Sequence, residues 1–257
     1  MHSTGFTVMF AAAVCFVCAI FVSGSAVLLA DKQENNRVLD RREKVLDVAG
    51  LVGSGEKLTP AQINERYEAN IKPLVIDLKS GDPLPEVDTQ SFDQSAEMAD
   101  PETSTSAPEN KAKVRRLPNR GMVYQVMDGD DLSALIIPVE GKGLWSTLYG
   151  YLAMRADGET IEGITFYQHG ETPGLGGEVD NPRWKALWKD RKAYGPDGEP
   201  KIAVKKGQAG TPQQDPYYVD GLSGATLTSR GVTELVQFWL GEHGFGPYIK
   251  HHLAQGS

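Results

Sequence analysis

A short turn that ends in a hydroxyl group is the stretch of the sequence best suited to chemistry. It runs Asp-Gly-Leu-Ser-Gly-Ala-Thr from Asp220 to Thr226, and its glycines permit backbone angles that other residues avoid. Apolar residues at positions 232, 235, 236 and 239 follow helical spacing, so we predict an amphipathic helix directly after the turn. Because a helix N-terminus favours an anion, these residues predict a phosphate beside Thr226. A Gly-rich loop that only caps a surface helix has the same composition.

A second constrained loop reads Glu-Thr-Pro-Gly-Leu-Gly-Gly-Glu from Glu171 to Glu178. Its proline and glycines allow backbone amides to approach a ligand closely. His169 precedes it without enough further His, Cys or carboxylate neighbours for a ligand set, so we interpret this histidine as structural and predict no metal site. Trp145 lies in a Gly-bounded turn and either stacks on a ligand or fills the core. Lys205 and Lys206 either offset a phosphate charge or remain solvated.

Charge and cysteine content narrow the class of protein. The formal net charge of −8 argues against a nucleic-acid partner, which requires a basic surface. Eight acidic residues and no Lys or Arg lie between Ser80 and Asn110. The two cysteines, Cys15 and Cys18, have redox-motif spacing but lie in an uncharged apolar run, where small hydrophobic side chains are the better interpretation.

The N-terminal run predicts a membrane anchor. No charged residue occurs from Gly5 to Ala30, and about 20 apolar residues suffice for a helix to span a bilayer. A cleaved signal peptide is the alternative, because small residues stand at 23–26. The run is long for a signal peptide and no Lys or Arg precedes it, so we favour an uncleaved transmembrane anchor at 1–30.

The rest of the chain predicts three further regions. Residues 31–79 form a membrane-proximal helical region, and residues 80–112 form an acidic, Pro/Ser/Thr-rich insert too poor in apolar residues to order itself. Residues 113–257 alternate as strands and helices. The predicted fold class is α+β, with a twisted antiparallel or mixed sheet flanked by helices and one N-terminal transmembrane helix.

The pattern Asp-x-x-Ser-Gly-Ala-Thr resembles the flavinylation motif of FMN-binding domains, in which FMN is esterified through its phosphate to the last Thr. The resemblance implies that Thr226 carries covalent FMN, with Asp220, Ser223, Gly224 and Ala225 shaping the turn. It also implies maturation by a separate flavin transferase. No Ser-His-Asp or Cys-His arrangement can be identified around Thr226, so we predict no catalytic residue in this chain.

Together with the 171–178 loop and the runs Trp239–Gly241 and Gly244–Pro247, the motif resembles the family of C subunits of the sodium-translocating NADH:quinone reductase. That resemblance implies an electron-relaying subunit of a multi-subunit NADH:ubiquinone reductase coupled to sodium export, which does not turn over alone. It places the loop against FMN, with Leu175 on the isoalloxazine ring. The loop residues implied as cofactor contacts are Glu171, Thr172, Gly174, Leu175 and Gly176.

The resemblance further implies a single-pass protein of the bacterial inner membrane with its soluble domain on the periplasmic side. Five basic residues follow the apolar run, and the positive-inside rule alone would put this domain in the cytoplasm. Two alternatives stay open at this point. One is the G subunit of the ferredoxin-linked electron-transport complex, which shares the Thr-attached flavin, and the other is a module that binds flavin noncovalently.

Overall fold

The N-terminal helix α1 (Thr4–Val48) is long and apolar enough to cross a membrane. The computed structural model describes residues 3–53 and 55–253, and the chain divides into two units, Met1–Arg41 and Arg42–Ser257. An 18-residue window of α1 has a mean hydropathy of 2.5, and none of it is buried. Such a window suits lipid rather than water. By length and composition, α1 therefore fits the predicted anchor.

The second unit is built on an antiparallel sheet with helices on it. Its elements in chain order are α2 (Pro60–Asn70), β1 (Ile71–Asp77), α3 (Gln94–Ala99), β2 (Ser104–Ser106), β3 (Arg116–Pro118), β4 (Arg120–Asp128), β5 (Asp131–Lys142), β6 (Thr147–Arg155), β7 (Ile161–Gln168), a 3-10 turn (Gly176–Asp180), α4 (Pro182–Ala186), β8 (Ala203–Val204), β9 (Tyr218–Val219), α5 (Thr226–Leu240) and α6 (Gly246–His252). Five strands form the main sheet in the order β1-β4-β5-β6-β7. The predicted α+β class is confirmed.

Helix α5 covers the middle of this sheet, as its amphipathic spacing predicts. Val232, Leu235 and Trp239 are fully buried on the helix, and the alternating β5 residues Leu135 and Ile137 are fully buried on the strand. The Trp239 indole donates its Nε1–H to the backbone oxygen of Glu140 at 2.8 Å, so even the polar edge of this core residue has a partner. This face therefore holds α5 against the sheet.

One strand pairing joins the predicted regions 31–79 and 113–257, whose boundaries stay predictions. Strand β1, which we placed in the membrane-proximal region, pairs with β4 along its whole length, from Ile71↔Val126 to Asp77↔Arg120. It is therefore an edge strand of the same sheet that carries α5. The sequence signal was missed because the two strands lie on opposite sides of the acidic insert.

The acidic insert also differs from the predicted disordered segment, since it contains α3 and β2. Its polar residues bond to the sheet unit: Arg120 Nε donates to Glu97 Oε2 at 3.1 Å, and the Gln94 carboxamide accepts the Met122 amide at 2.9 Å. Ser104 is buried and accepts from Arg116 Nε at 2.8 Å. Specific polar contacts thus order a segment whose apolar content alone would not.

Candidate functional site

The turn from Asp220 to Thr226 lies at the N-terminus of α5, where the sequence placed it. Ala225 is the N-cap and Thr226 is the first helical residue. Gly224 has φ +69°, which favours glycine, and a Cβ at this position would lie 3.0 Å from Leu175 Cδ2. Ser223, Gly224 and Thr226 are exposed, whereas Ala225 is buried. The threonine hydroxyl therefore stands open to a partner molecule.

Hydrogen bonds from outside the turn hold its shape. The Asp220 carboxylate accepts the Ala209 amide at 2.8 Å, and the Asp220 backbone oxygen accepts Trp184 Nε1–H at 2.8 Å. The Leu222 amide donates to Ser229 Oγ at 3.0 Å. Ser229 lies three residues after the start of α5, and its hydroxyl braces the turn. Asp220 fits the predicted role of a residue that shapes this turn.

Glu171 connects three segments of the site. Its carboxylate is buried and accepts hydrogen bonds from the amides of Trp145 at 2.9 Å, Ser146 at 3.1 Å and Leu144 at 3.3 Å, and from Thr228 Oγ1 at 2.7 Å. Burial raises the pKa of this carboxyl, and the hydrogen bonds outweigh burial, so the pKa lies below its usual value. The resemblance implied a cofactor contact at Glu171. Its side chain also joins these three segments of the protein, and a contact with the cofactor stays a prediction.

The 172–177 segment is a tight turn that brings Leu175 to the acceptor turn. The backbone oxygen of Thr172 accepts the amides of Leu175 at 3.1 Å and Gly177 at 2.9 Å. A Cβ on Gly176 would lie 2.6 Å from Thr228 Oγ1, so a larger residue would push the loop away from α5. Thr172, Gly174 and Leu175 are exposed and available to a ligand, whereas Gly176 is buried and serves close packing.

Exposed apolar side chains collect around this turn. In the described part of the second unit, the large hydrophobic residues that remain exposed are Leu144, Trp145, Leu175, Tyr218 and Leu227. Four of these five adjoin the turn in sequence or through Glu171 and Gly224, and we call Leu144, Trp145, Leu175 and Leu227 the apolar rim. Trp145 is 68% exposed, which excludes its alternative interpretation as a core residue. Exposed apolar groups gathered in one place indicate a binding surface.

A cavity of about 750 Å³ also adjoins the turn. Its lining includes Asp220, Ser223, Gly224 and Thr226, together with four basic side chains. These are Lys111, Lys205, Lys206 and Arg230. The sequence indicated Lys205 and Lys206 as candidates, whereas Lys111 and Arg230 were not predicted. For Arg230 a signal existed, because it follows Thr226 by four residues and so shares its helix face.

His169 has the structural role that its sequence context predicted. Its Nε2 lies 2.8 Å from Asp180 Oδ2, and its Nδ1 accepts the Glu171 amide at 3.2 Å. Both ring nitrogens are therefore engaged in positioning the 171–177 loop. The site as a whole combines a free hydroxyl, an apolar rim and a basic cavity. This chemistry fits FMN, which has a planar aromatic ring system at one end and a phosphate at the other.

Comparisons with known proteins agree with this description. Residues 143–241 match the FMN-binding domain family. The C subunit of the Na(+)-translocating NADH-quinone reductase from Vibrio parahaemolyticus is 46% identical over 239 residues, covering 91% of this chain and 89% of the relative. The corresponding protein from Pseudomonas aeruginosa is 43% identical over 252 residues, covering 96% of this chain and 95% of the relative.

A solved structure shares the fold. The crystal structure of Shewanella oneidensis NqrC matches with a TM-score of 0.77 and 32% identity, over 88% of this chain and 100% of that one. The sequence relatives and this structure are the C-type proteins that the resemblance predicted, rather than the G subunit of the ferredoxin-linked complex. The chain therefore belongs to the NqrC family, the C subunits of the Na(+)-translocating NADH-quinone reductase.

Proposed function

We propose that this chain carries FMN covalently at Thr226 and relays electrons between neighbouring subunits of a sodium-translocating NADH:quinone reductase. The observation that carries the proposal is the position of the Thr226 hydroxyl. It is exposed at the start of α5, with the apolar rim and the basic cavity beside it. Bound FMN supplies the one-electron chemistry, while the protein supplies the tether and the surroundings of the ring.

The residues of the site divide this work. Thr226 Oγ1 is the tether. The small residues before it leave the approach to its oxygen free of large side chains; they are Ser223, Gly224 and Ala225. Leu175 and Trp145 offer apolar surface to the ring system, and Thr172 and the amides near Gly174 offer polar groups to its edge. The Glu171 carboxylate positions these groups, because it accepts four hydrogen bonds from the protein.

Attachment requires help from another protein. Within residues 3–53 and 55–253, the structure contains no hydrogen bond from the Thr226 hydroxyl to a His or carboxylate that could take its proton. A threonine hydroxyl is a weak nucleophile without such a base. A flavin transferase would accept the proton and present an FMN phosphate activated as an anhydride. The Oγ1–phosphorus bond then forms as the anhydride bond breaks and its leaving group departs.

Helix α1 would anchor the chain in the bacterial inner membrane as a single span. Its apolar window fits this role by length and composition. A periplasmic location for the second unit rests on the family resemblance, against the positive charges that follow the window in sequence. Accessibility of a cysteine introduced at exposed Glu199 to a membrane-impermeant thiol reagent would test it. Labelling in intact cells supports the periplasmic side, and labelling only after lysis contradicts it.

The attachment site is tested on denaturing gels of full-length protein produced together with a flavin transferase. We expect a band that fluoresces as flavin in the wild-type chain and in Thr105→Val, an exposed threonine on β2 that does not line the cavity. Thr226→Val should be dark, because the hydroxyl is lost while the side-chain volume hardly changes. Fluorescence that persists in Thr226→Val would refute the acceptor assignment. A folded wild-type chain that binds flavin but gives a dark band would favour the noncovalent module.

A further inference from the structure

We propose that Arg230, Lys206 and Lys111 form an anion subsite in the cavity beside Thr226, and that this subsite takes the phosphate of the bound flavin. The proposal deepens the proposed function, and its assignment to a flavin phosphate rests on it. The existence of the subsite rests on the cavity and on the side chains that line it. Both belong to the second unit.

The three basic side chains have no internal partner. In the described ranges of the chain, no hydrogen bond or ion pair joins the side chains of Arg230, Lys206 or Lys111 to another residue. Lys205, which lines the same cavity, differs from them. Its ammonium group lies 2.9 Å from Asp215 Oδ2 and 5.4 Å from the centre of the Tyr218 ring. Lys205 is thus already neutralised, whereas the other three side chains keep their charge available.

The charges of the cavity suit one monoanion. Four basic and two acidic side chains line it, the acidic ones being Asp220 and Glu234. Since Asp215 pairs with Lys205, three basic side chains remain against two carboxylates. This leaves an excess of one positive charge. A phosphodiester between Thr226 and a ribityl chain carries one negative charge, so it would balance the cavity without a counterion.

Helix geometry explains why Arg230 is the central member of the subsite. Residues four apart lie above one another on a helix, and long side chains point back toward the N-terminus. Arg230 stands four residues after Thr226 on α5, and both line the cavity. Its guanidinium can therefore reach a phosphate on the threonine oxygen with two parallel N–H donors. Lys111 arrives from a distant part of the chain and Lys206 from the end of β8.

The subsite also orders the ligand. The basic groups are in the cavity, whereas the apolar rim lies on the 144–145 and 171–177 loops and at Leu227. A flavin tethered at Thr226 then has its charged end in the cavity and its ring system over the rim. The difference in polarity between the cavity and the apolar rim would therefore set the direction of the ligand, without any specific contact to its ring.

The test uses full-length protein in detergent, produced without a flavin transferase so that Thr226 is free, and titrated with inorganic phosphate by calorimetry. We expect one saturable site that weakens roughly tenfold in Arg230→Gln, the usual effect of losing a charge-assisted hydrogen bond. Lys206→Gln should weaken it less, because a lysine offers no paired donors. Arg183→Gln, an exposed arginine on α4 that does not line the cavity, is the control and should bind as the wild type does.

The outcomes separate this proposal from the covalent attachment itself. No saturable phosphate site in the wild-type chain, or equal binding by Arg230→Gln and the wild type, would overturn the subsite even if Thr226 carries flavin. Loss of phosphate binding in the flavin-loaded protein would support occupation of the subsite by the flavin phosphate. Retained phosphate binding after loading would refute that assignment. The fluorescent gel reports separately on whether the flavin is covalent.

Discussion

Replacing Glu171 with glutamine should destabilise the site by weakening hydrogen bonds within the protein. The wild-type carboxylate accepts three amides and the Thr228 hydroxyl. In Glu171→Gln one oxygen can still accept the Trp145 and Ser146 amides. The new NH2 group can donate to Thr228 Oγ1, because the threonine hydroxyl can rotate to accept. The same NH2 group cannot accept the Leu144 amide, since both groups are donors.

The magnitude follows from the loss of charge at these bonds. A hydrogen bond to a charged group contributes about 1.5–3 kcal/mol, compared with about 1 kcal/mol for a neutral one. The Leu144 and Trp145 side chains are exposed, so we expect water to accept hydrogen bonds from some amides of this loop. Thr228 is fully buried, so water cannot replace its bond in the same way. Discounting for water and for non-additivity, we expect the free energy of unfolding at pH 7 to fall by about 2 kcal/mol.

The pH dependence provides the decisive measurement. Burial raises the pKa of Glu171 in the folded state and hydrogen bonds lower it further than burial raises it, so its stabilising contribution is present above the unfolded pKa. It is lost as the pH falls through the folded pKa. Urea unfolding of the full-length chain, followed by tryptophan fluorescence, should show a gap between wild type and Glu171→Gln at pH 7 that narrows at lower pH. Glu199→Gln, an exposed carboxylate, is the control. Equal stability of the two proteins at pH 7 would refute the reasoning, as would a difference in their free energies of unfolding that does not change with pH.

Two further predictions concern Gly224 and Glu140. Gly224→Ala should lower the free energy of unfolding by about 1–2 kcal/mol from the positive φ and contact with Leu175, and by more than Gly198→Ala, which has φ +75° but open space around it. Urea midpoints would compare them, and an equal loss would contradict the contact. Burial raises the pKa of Glu140 to about 7, so stability falls as pH rises from the unfolded pKa through this value. Glu140→Gln should gain about 2 kcal/mol over wild type at pH 8 and lose this advantage near pH 4.5, and no gain at pH 8 would contradict the burial effect.

Local patterns predicted the elements that carry the site. Helical spacing of apolar residues predicted α5, because this spacing is determined by the face of the helix that meets the core. The acceptor turn was found from small residues that its backbone angles and close approaches require. These features lie within a few residues of one another in the sequence, where periodicity and turn preferences act.

Contacts between distant segments were not predictable from the sequence. Strand β1 pairs with β4 across the acidic insert, and the insert itself is ordered by bonds such as Arg120 to Glu97. The local sequence predicts neither the strand pairing nor these bonds. Lys111 could not be predicted for the same reason, because it lines the same cavity as Arg230 only in the folded chain. Glu171 was correctly placed near the site, but its inward direction depends on three amides of another loop.

The exposed position of the apolar rim has a consequence for how the complex is built. A chain without flavin presents Trp145, Leu175 and Leu227 to water. On the proposed function, attachment covers part of this surface with a ring system and brings a negative charge to the cavity. Loaded and unloaded chains then differ on their outer surface while sharing one fold. On that function, a neighbouring subunit that contacted this surface would bind loaded and unloaded chains differently without any change of fold.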